Sequence, residues 1–359
     1  MTAIAPICRC RAAQAAGILH PMKPKFRITG GQPLHGRVRI SGSKNGADYV
    51  LAAALLTAGD VVLHNVPDIG DVRQMEEILE HLGAVVEHPQ PGTLRINCAN
   101  VTTWEAPVDL AAQLRAGFLV MGSLIARLGK AASPPPGGDV IGIRPLDVHL
   151  AGFRTLGAEV GRKGDMFTAT APNGRLRGGR VVLDYPSVMG TLNVMLAATL
   201  ADGQTTIINA ASEPEISSLA SMLNAMGANI TGAGTQIIRI EGVRELTGTE
   251  HRVIPDRLEA GTFALAAAIT GGEIELEEAV PEHLDALIWK MREAGVEVEP
   301  TDAGMRVRGS GVYRSVGAQA VPYPGLATDL HPPLAAFLTQ ATRVSVIHER
   351  VFDNRMLYI

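Results

Sequence analysis

The chain has 359 residues, 46% of them hydrophobic and 19% charged, and a formal net charge of −4. That is globular composition with chain enough for two cores. The mildly acidic balance and an aromatic content of 4% speak against a nucleic-acid or anionic-membrane surface, and no apolar run reaches the ~18 residues of a membrane span.

Residues 1–21 hold no acid, two arginines and no apolar stretch suited to a secretory signal. They are expected to be an extension, either disordered or preceding a true start at Met22, with a weak targeting segment as the alternative, and the chain reads as cytoplasmic. Cys8, Cys10 and Cys98 form neither a disulfide framework nor a zinc pattern.

The first motif is SGSKNGA at 41–47. Ser41 or Ser43 can cap the helix that follows, with Lys44 and Asn45 at its positive end, where an anion would be held. An ordinary capped helix with a surface lysine fits the same stretch. The helix runs into VLAAALLTAGDVVLHNV at 50–66, an apolar helix, a turn and an alternating strand. The same pattern returns from Val120, Val194, Phe263 and Pro333, about 70 residues apart. An amphipathic second helix completes each unit. In the first, Val72, Met75, Ile78, Leu79 and Leu82 share one face and Gly83 ends it. The matching glycines are Gly157, Gly227 and Gly295.

One unit thus reads βαβαββ. Its first helix is apolar all round and must be enclosed by protein. Several such helices imply helices inside and sheets outside. The glycine of the fifth unit falls near ~366 by the same period, so the chain is expected to be a fragment that stops at Ile359 inside that unit's second helix.

The second unit is the longest between its inner helix and its glycine, and the surplus lies in SPPPGGDVIG. Prolines stiffen one arm, and Gly137 and Gly138 precede Asp139, the construction of a mobile lid bearing one acid. A surface loop with incidental charge remains the alternative. Arg115 adds a cation in QLRAGF, while PSVMGT at 186–191, PDRLEAGTF at 255–263 and TDLHP at 328–332 open the other inner helices. His149 is expected to pack or cap. GRLRGGR at 174–180 is expected to be an exposed turn, and GAGTQ at 232–236 lacks the third glycine of a dinucleotide fingerprint.

Taken in order, SGSKNGA, LRAGF, PGGDVIGIRPLDVH, SEPEI, PDRLEAGTF, ATDLHP and ERVFDNR resemble the UDP-N-acetylglucosamine 1-carboxyvinyltransferase family of enolpyruvyl transferases, from about residue 22 to the end. The resemblance implies an α/β fold, the inside-out α/β barrel, with two lobes of βαβαββ repeats. Residues 44–253 then form a complete lobe of three repeats, and 22–43 with 254–359 an incomplete second one. It implies transfer of the enolpyruvyl group of phosphoenolpyruvate to the 3'-hydroxyl of UDP-N-acetylglucosamine with release of phosphate, a step of peptidoglycan synthesis. No metal, organic cofactor or obligate protein partner is called for.

Residue by residue, Lys44 and Asn45 match the phosphoenolpyruvate pair, and Arg115 and Arg144 the substrate-binding arginines. Arg144, Pro145, Leu146, Asp147 and Val148 match the segment that holds the uridine nucleotide. Ser187, Val188 and Val351 match further nucleotide-sugar contacts. Asp329 matches the acid at the sugar hydroxyl, and the catalytic set is Asp139, Asp329 and Lys44. The family's usual lid cysteine is Asp139 here, which implies resistance to fosfomycin, a thiolate alkylator. As proton donor, Asp139 needs its carboxyl raised by burial or by phosphate. Tyr185 stands where a lysine is usual, and two further site arginines are expected past Ile359. The sister family, 5-enolpyruvylshikimate-3-phosphate synthase, continues its GSK differently from NGADYV. A non-catalytic nucleotide-sugar-binding paralogue is the other alternative.

Overall fold

Helix ends follow the glycines. Gly83 and Gly295 cap their helices in the left-handed region, and Gly157 and Gly227 also have positive φ, where a side chain would be strained. The computed structural model describes residues 28–139, 141–142 and 144–359. The extension at 1–21 lies outside them.

The chain forms β1 (His35–Arg39), α1 (Lys44–Ala54), β2 (Asp60–His64), α2 (Gly70–Leu82), β3 (Val85–Gln90) and β4 (Thr93–Asn97). Next come α3 (Val108–Ala111), α4 (Val120–Leu128), β5 (Lys130–Ser133), α5 (Asp147–Thr155), β6 (Glu159–Lys163) and β7 (Met166–Thr170). Then follow β8 (Arg180–Val182), α6 (Val188–Thr199), β9 (Gln204–Ile208), α7 (Pro214–Ala225), β10 (Asn229–Thr231), β11 (Ile237–Glu241) and β12 (Thr249–Arg252). The remainder is α8 (Arg257–Ile269), β13 (Glu273–Glu277), α9 (Asp285–Ala294), β14 (Glu297–Thr301), β15 (Gly304–Arg308), β16 (Gly317–Ala320), α10 (His331–Leu338) and β17 (Val346–Glu349).

The described residues form two apolar cores. The larger spans Ala47 to Val253 and is wrapped by three sheets, ordered β12-β2-β4-β3, β5-β7-β6 and β10-β11-β9-β8. The smaller takes Ile40 and residues from Ala260 to Leu338, under β1-β13-β15-β14 and β16-β17. Two strands change sides. β1 pairs in parallel with β13, and β12 pairs in parallel with β2.

The enclosed helices are α1, α4 and α6. All residues of Gly46–Ala54 and Gly190–Thr199 are buried, as are Val120–Ala126. Each fully buried Leu or Ile contributes roughly 1.5–3 kcal/mol. Two polar groups among them are satisfied across helices: Ser123 Oγ donates to Ala52 O at 2.7 Å, and Asn193 Nδ2 donates to Phe118 O at 3.0 Å. Asn193 also meets His149 Nδ1 at 3.0 Å, and burial, with the charge of Arg115, pulls that imidazole down to about 3. His149 is a neutral packed residue.

In the smaller core the expectation of helices enclosed all round needs correction. Thr262 on α8 and Ala336 on α10 are exposed. Only these two inner helices pair there among the described residues, so each keeps an uncovered side. The expected second helix of unit five is likewise replaced by turns over 353–358. Side chains in this stretch are committed elsewhere: Arg355 to Asp329, and Tyr358 to His331.

The chain passes between the cores twice, side by side. Ser43 N donates to Ile254 O at 2.7 Å, and Asp256 N to Ser41 O at 2.9 Å. These crossings deliver the starts of α1 and α8 to one place.

Candidate functional site

At the start of α1, Ser43 is the cap: its Oγ accepts from Gly46 N at 3.1 Å. Ser41 instead turns to the other core, where its N–H and hydroxyl both donate to Glu259 Oε2. Asp256 caps α8, accepting from Leu258 N at 2.7 Å and Glu259 N at 3.0 Å. Its second oxygen accepts from Lys44 N at 3.0 Å. One carboxylate therefore ties together two helix N-termini from two cores. Lys44 and Asn45 line a cavity of about 310 Å³ with Asp256, Glu259 and Phe263. A larger cavity, about 430 Å³, lies beside Arg39, His64 and Arg252 and contains none of the expected site residues.

Lys44 Nζ donates to Asp71 Oδ2 at 2.7 Å. Burial pulls the ammonium down, but Asp71, with smaller contributions from Asp48 and Asp139, more than offsets it and holds Lys44 above its ordinary value. That places the negative charge of Asp139 within reach of Lys44.

The loop that carries Asp139 is held by a relay of arginines. Arg115 Nη2 donates to Arg144 O at 3.0 Å, and Arg144 Nη2 donates to Asp139 O at 2.7 Å. Burial, then the neighbouring charge of Arg144, lowers Arg115 to about 10. The glycines serve contact as well as freedom. A Cβ on Gly137 would sit 2.2 Å from Ala112 O, so only glycine fits. Gly138 has φ of +99°. The tip at Gly142 lies against the other core's chain, where an added Cβ would be 3.2 Å from Asp353 N. Asp139 is exposed. Val140 and Ile143 fall outside the described residues.

Asp329 is exposed and accepts from Arg355 Nη2, while the Arg355 side chain is only 14% exposed. Burial lowers Arg144, and Asp139, Arg355 and Asp329 all act on it. Arg144 thus feels the charge of Asp139 from its own loop and those of Asp329 and Arg355 from the other core. Glu349 organises the chain around Asp329 and Arg355. It accepts from Thr328 Oγ1 at 2.6 Å and from the backbone N–H groups of Val351 and Phe352. His331 Nε2 lies 3.0 Å from Glu349 without hydrogen-bond alignment. Burial keeps His331 below its ordinary value despite the opposing charge of Glu349.

The expected nucleotide segment is divided. Pro145 and Asp147 are exposed and Leu146 precedes α5, but the Val148 side chain belongs to the larger core. Only the backbone of Val148 is left to meet a ligand. Ser187 Oγ is occupied as the α6 cap, accepting from Gly190 N at 3.1 Å. Val188 is half-buried, Val351 is exposed, and Tyr185 lies near Asp147, Arg115 and Ser187. Burial first, then Asp147, raises the Tyr185 phenol.

Sequence reading missed Asp71, Asp256, Glu349 and Arg355. The last three sit inside motifs singled out for other reasons, and the D-x-x-E spacing of Asp256 and Glu259 is a capping signal. Asp71 left no signal, because its partner is one helix away.

A family model described as EPSP synthase (3-phosphoshikimate 1-carboxyvinyltransferase) matches residues 28–359. A UDP-N-acetylglucosamine 1-carboxyvinyltransferase 1 of Caldanaerobacter subterraneus is 46% identical over 338 residues, 94% of this chain and 80% of that protein. A UDP-N-acetylglucosamine 1-carboxyvinyltransferase 2 of Carboxydothermus hydrogenoformans is 48% identical over 337 residues, 93% and 80% of the two. Among solved structures, the enolpyruvyl transferase NikO from Streptomyces tendae aligns with a TM-score of 0.77 at 22% identity, covering 89% of this chain and 76% of that one. An EPSP synthase from Acinetobacter baumannii aligns at 0.66 and 20%, covering 89% and 74%. At these identities the two structures speak to the fold.

Proposed function

The chain belongs to the EPSP synthase (3-phosphoshikimate 1-carboxyvinyltransferase) family, among its UDP-N-acetylglucosamine 1-carboxyvinyltransferases, and on that footing we propose that it transfers the enolpyruvyl group of phosphoenolpyruvate to the 3'-hydroxyl of UDP-N-acetylglucosamine. The observation that carries the reading is the position of Arg144, acted on by Asp139 from its own loop and by Asp329 and Arg355 from the other core. An acid, a base and cations then converge on one cleft, as addition and elimination require.

In the proposed step the sugar hydroxyl oxygen bonds to C2 of phosphoenolpyruvate while C3 gains a proton. C3 then loses a proton, the C2–O bond to phosphate breaks, and the double bond returns. Asp139 delivers the first proton. Asp329 takes the hydroxyl proton on Oδ2, since Arg355 occupies Oδ1. Lys44, Arg115 and Arg144 hold the phosphate and carboxylate, with Asn45 beside them. Pro145, Leu146, Asp147, the Val148 backbone, Ser187, Val188 and Val351 receive the nucleotide sugar.

No helix among the described residues is long and apolar enough to cross a membrane. The work proposed is cytoplasmic, on soluble substrates of peptidoglycan synthesis. Resistance to fosfomycin goes with the reading. The one cysteine among the described residues, Cys98, is buried, and burial pushes its thiol up to about 11. That is no reactive thiolate.

The test is phosphate release from phosphoenolpyruvate with UDP-N-acetylglucosamine as acceptor, and mass spectrometry of the nucleotide sugar. Release that depends on UDP-N-acetylglucosamine, and not on shikimate 3-phosphate, supports the reading. Binding of both substrates without phosphate release sinks it in favour of a non-catalytic binder.

A further inference from the structure

Asp48 has no place in the chemistry above, yet it is an unusual group. It lies one helical turn after Lys44 on α1, and residues at that spacing share a helix face. It is 2% exposed, and its Oδ1 has no hydrogen-bond partner. A buried carboxylate without partners is costly, so such a group holds its proton unless a cation stabilises the anion. The cation here is Lys44, which is already shared with Asp71.

The charges around Asp48 can be assigned element by element. Lys44 on its own helix and Asp71 on α2 act on it. From α7, Glu215 acts on the adjacent Tyr49. Arg115, on the turn next to α1, acts on His149 and Tyr185, and Arg127 of α4 is spent on the carbonyls of Leu55, Thr57 and Cys98. Among the described residues, Lys44 is thus the cation that favours the ionised form of Asp48.

We propose that Asp48 is a positioning residue for Lys44 that takes up a proton when an anion settles on the ammonium, so that anion affinity is coupled to pH through a buried side chain. The physical step is a competition. An anion at Lys44 adds negative charge near Asp48 and claims part of the field that kept it ionised. Protonated Asp48 no longer repels the anion, and Lys44 is left to the anion and Asp71. Burial, opposed by Lys44 and aided by Asp71, already brings Asp48 to about 7 in the free protein. Uptake therefore falls in the physiological range. The inference rests on the reading of Lys44 as an anion-binding residue.

Sulfate, which does not titrate near neutrality, and phosphoenolpyruvate are the probes. Calorimetry in buffers of different ionisation enthalpy counts the protons. If the anion raises Asp48 by one further unit, uptake is about half a proton per anion near pH 7.5, and affinity falls about sixfold between pH 6.5 and 8.5. Asp48→Asn and Asp48→Leu are expected to bind without uptake and without that fall, and the leucine variant guards against a folding defect. Binding to the wild type with no uptake, or with uptake unchanged in both variants, overturns the proposal alone. No binding of either anion to a folded wild type overturns the anion site as well, and this inference with it.

Discussion

Asp139 and Asp48 are both aspartates near Lys44, and their surroundings set them apart. Asp139 stands exposed on a loop held through its backbone by Arg144. If it is the proton donor, Asp139→Ala reduces phosphate release by at least 10²-fold, the usual scale for a general acid. Asp139→Cys renders the enzyme sensitive to time-dependent inactivation by fosfomycin, followed by adduct mass. An alanine variant with full turnover would remove Asp139 from the mechanism. Asp48 is instead a stability liability. Its folded value, raised to about 7, lies above that of an unfolded aspartate. Its relative stabilisation is therefore complete below about pH 4, the unfolded value, and lost as pH rises through about 7. Asp48→Leu is expected to raise the melting temperature above pH 7, with about 4 kcal/mol as the upper bound, and to lose that advantage below pH 4. Melting curves across pH decide this.

At the scale of elements, local period and local caps were legible in the sequence. The apolar face of α2 is Val72, Met75, Ile78, Leu79 and Leu82, the five positions that the 3.6-residue period selects, and Gly83 ends the helix. Burial of α1 and α6 along nearly their whole length also followed from composition. What composition could not supply was the number of neighbours. α10, and α8 after its first turn, are apolar helices like α6, yet each has an exposed side because two inner helices cover less than three. The same limit hid the site's supports. Lys44, Asp139 and Asp329 stood in quotable motifs, whereas Asp71 and Arg355 matter through contacts that only the assembled elements create. Asp256 shows how one side chain joins two elements, capping α8 and receiving Lys44 N of α1. Asp256→Ala is expected to cost about 1–2 kcal/mol, the loss of a cap, and to weaken anion binding at Lys44. Asp256→Asn keeps an accepting oxygen and should recover most of the stability. Equal losses in both variants, by chemical denaturation, would refute the cap as the cause.

At the scale of the molecule, the two cores are joined by a buried ion pair. Glu215 of α7 and Arg257 of α8 meet at 3.1 Å with side chains 3% and 10% exposed. Burial pulls the guanidinium down, but Glu215 outweighs it and Arg257 stays above its ordinary value. Removing one partner of such a pair leaves a buried charge, so Glu215→Gln is expected to cost about 3–5 kcal/mol. The pair Glu215→Leu with Arg257→Met should restore much of it. A single variant as stable as wild type, in urea titrations, would show that the joint lies elsewhere.

The exchange of strands between the cores also has a consequence for synthesis on the ribosome. β1 emerges early, but its partner β13 begins at Glu273, after all of the larger core. At 5–20 residues per second the interval is roughly 12–50 s. Throughout it β1 is an orphan strand, and an unpaired strand invites association with other chains. Its sequence HGRVR answers that hazard. Arg37 and Arg39 keep the nascent strand charged until β13 and its flank bring Glu275, Glu277 and Glu278 to receive them. The two arginines thus serve the strand twice, as charges against association while it waits and as ion-pair partners of β13 and its flank once it docks.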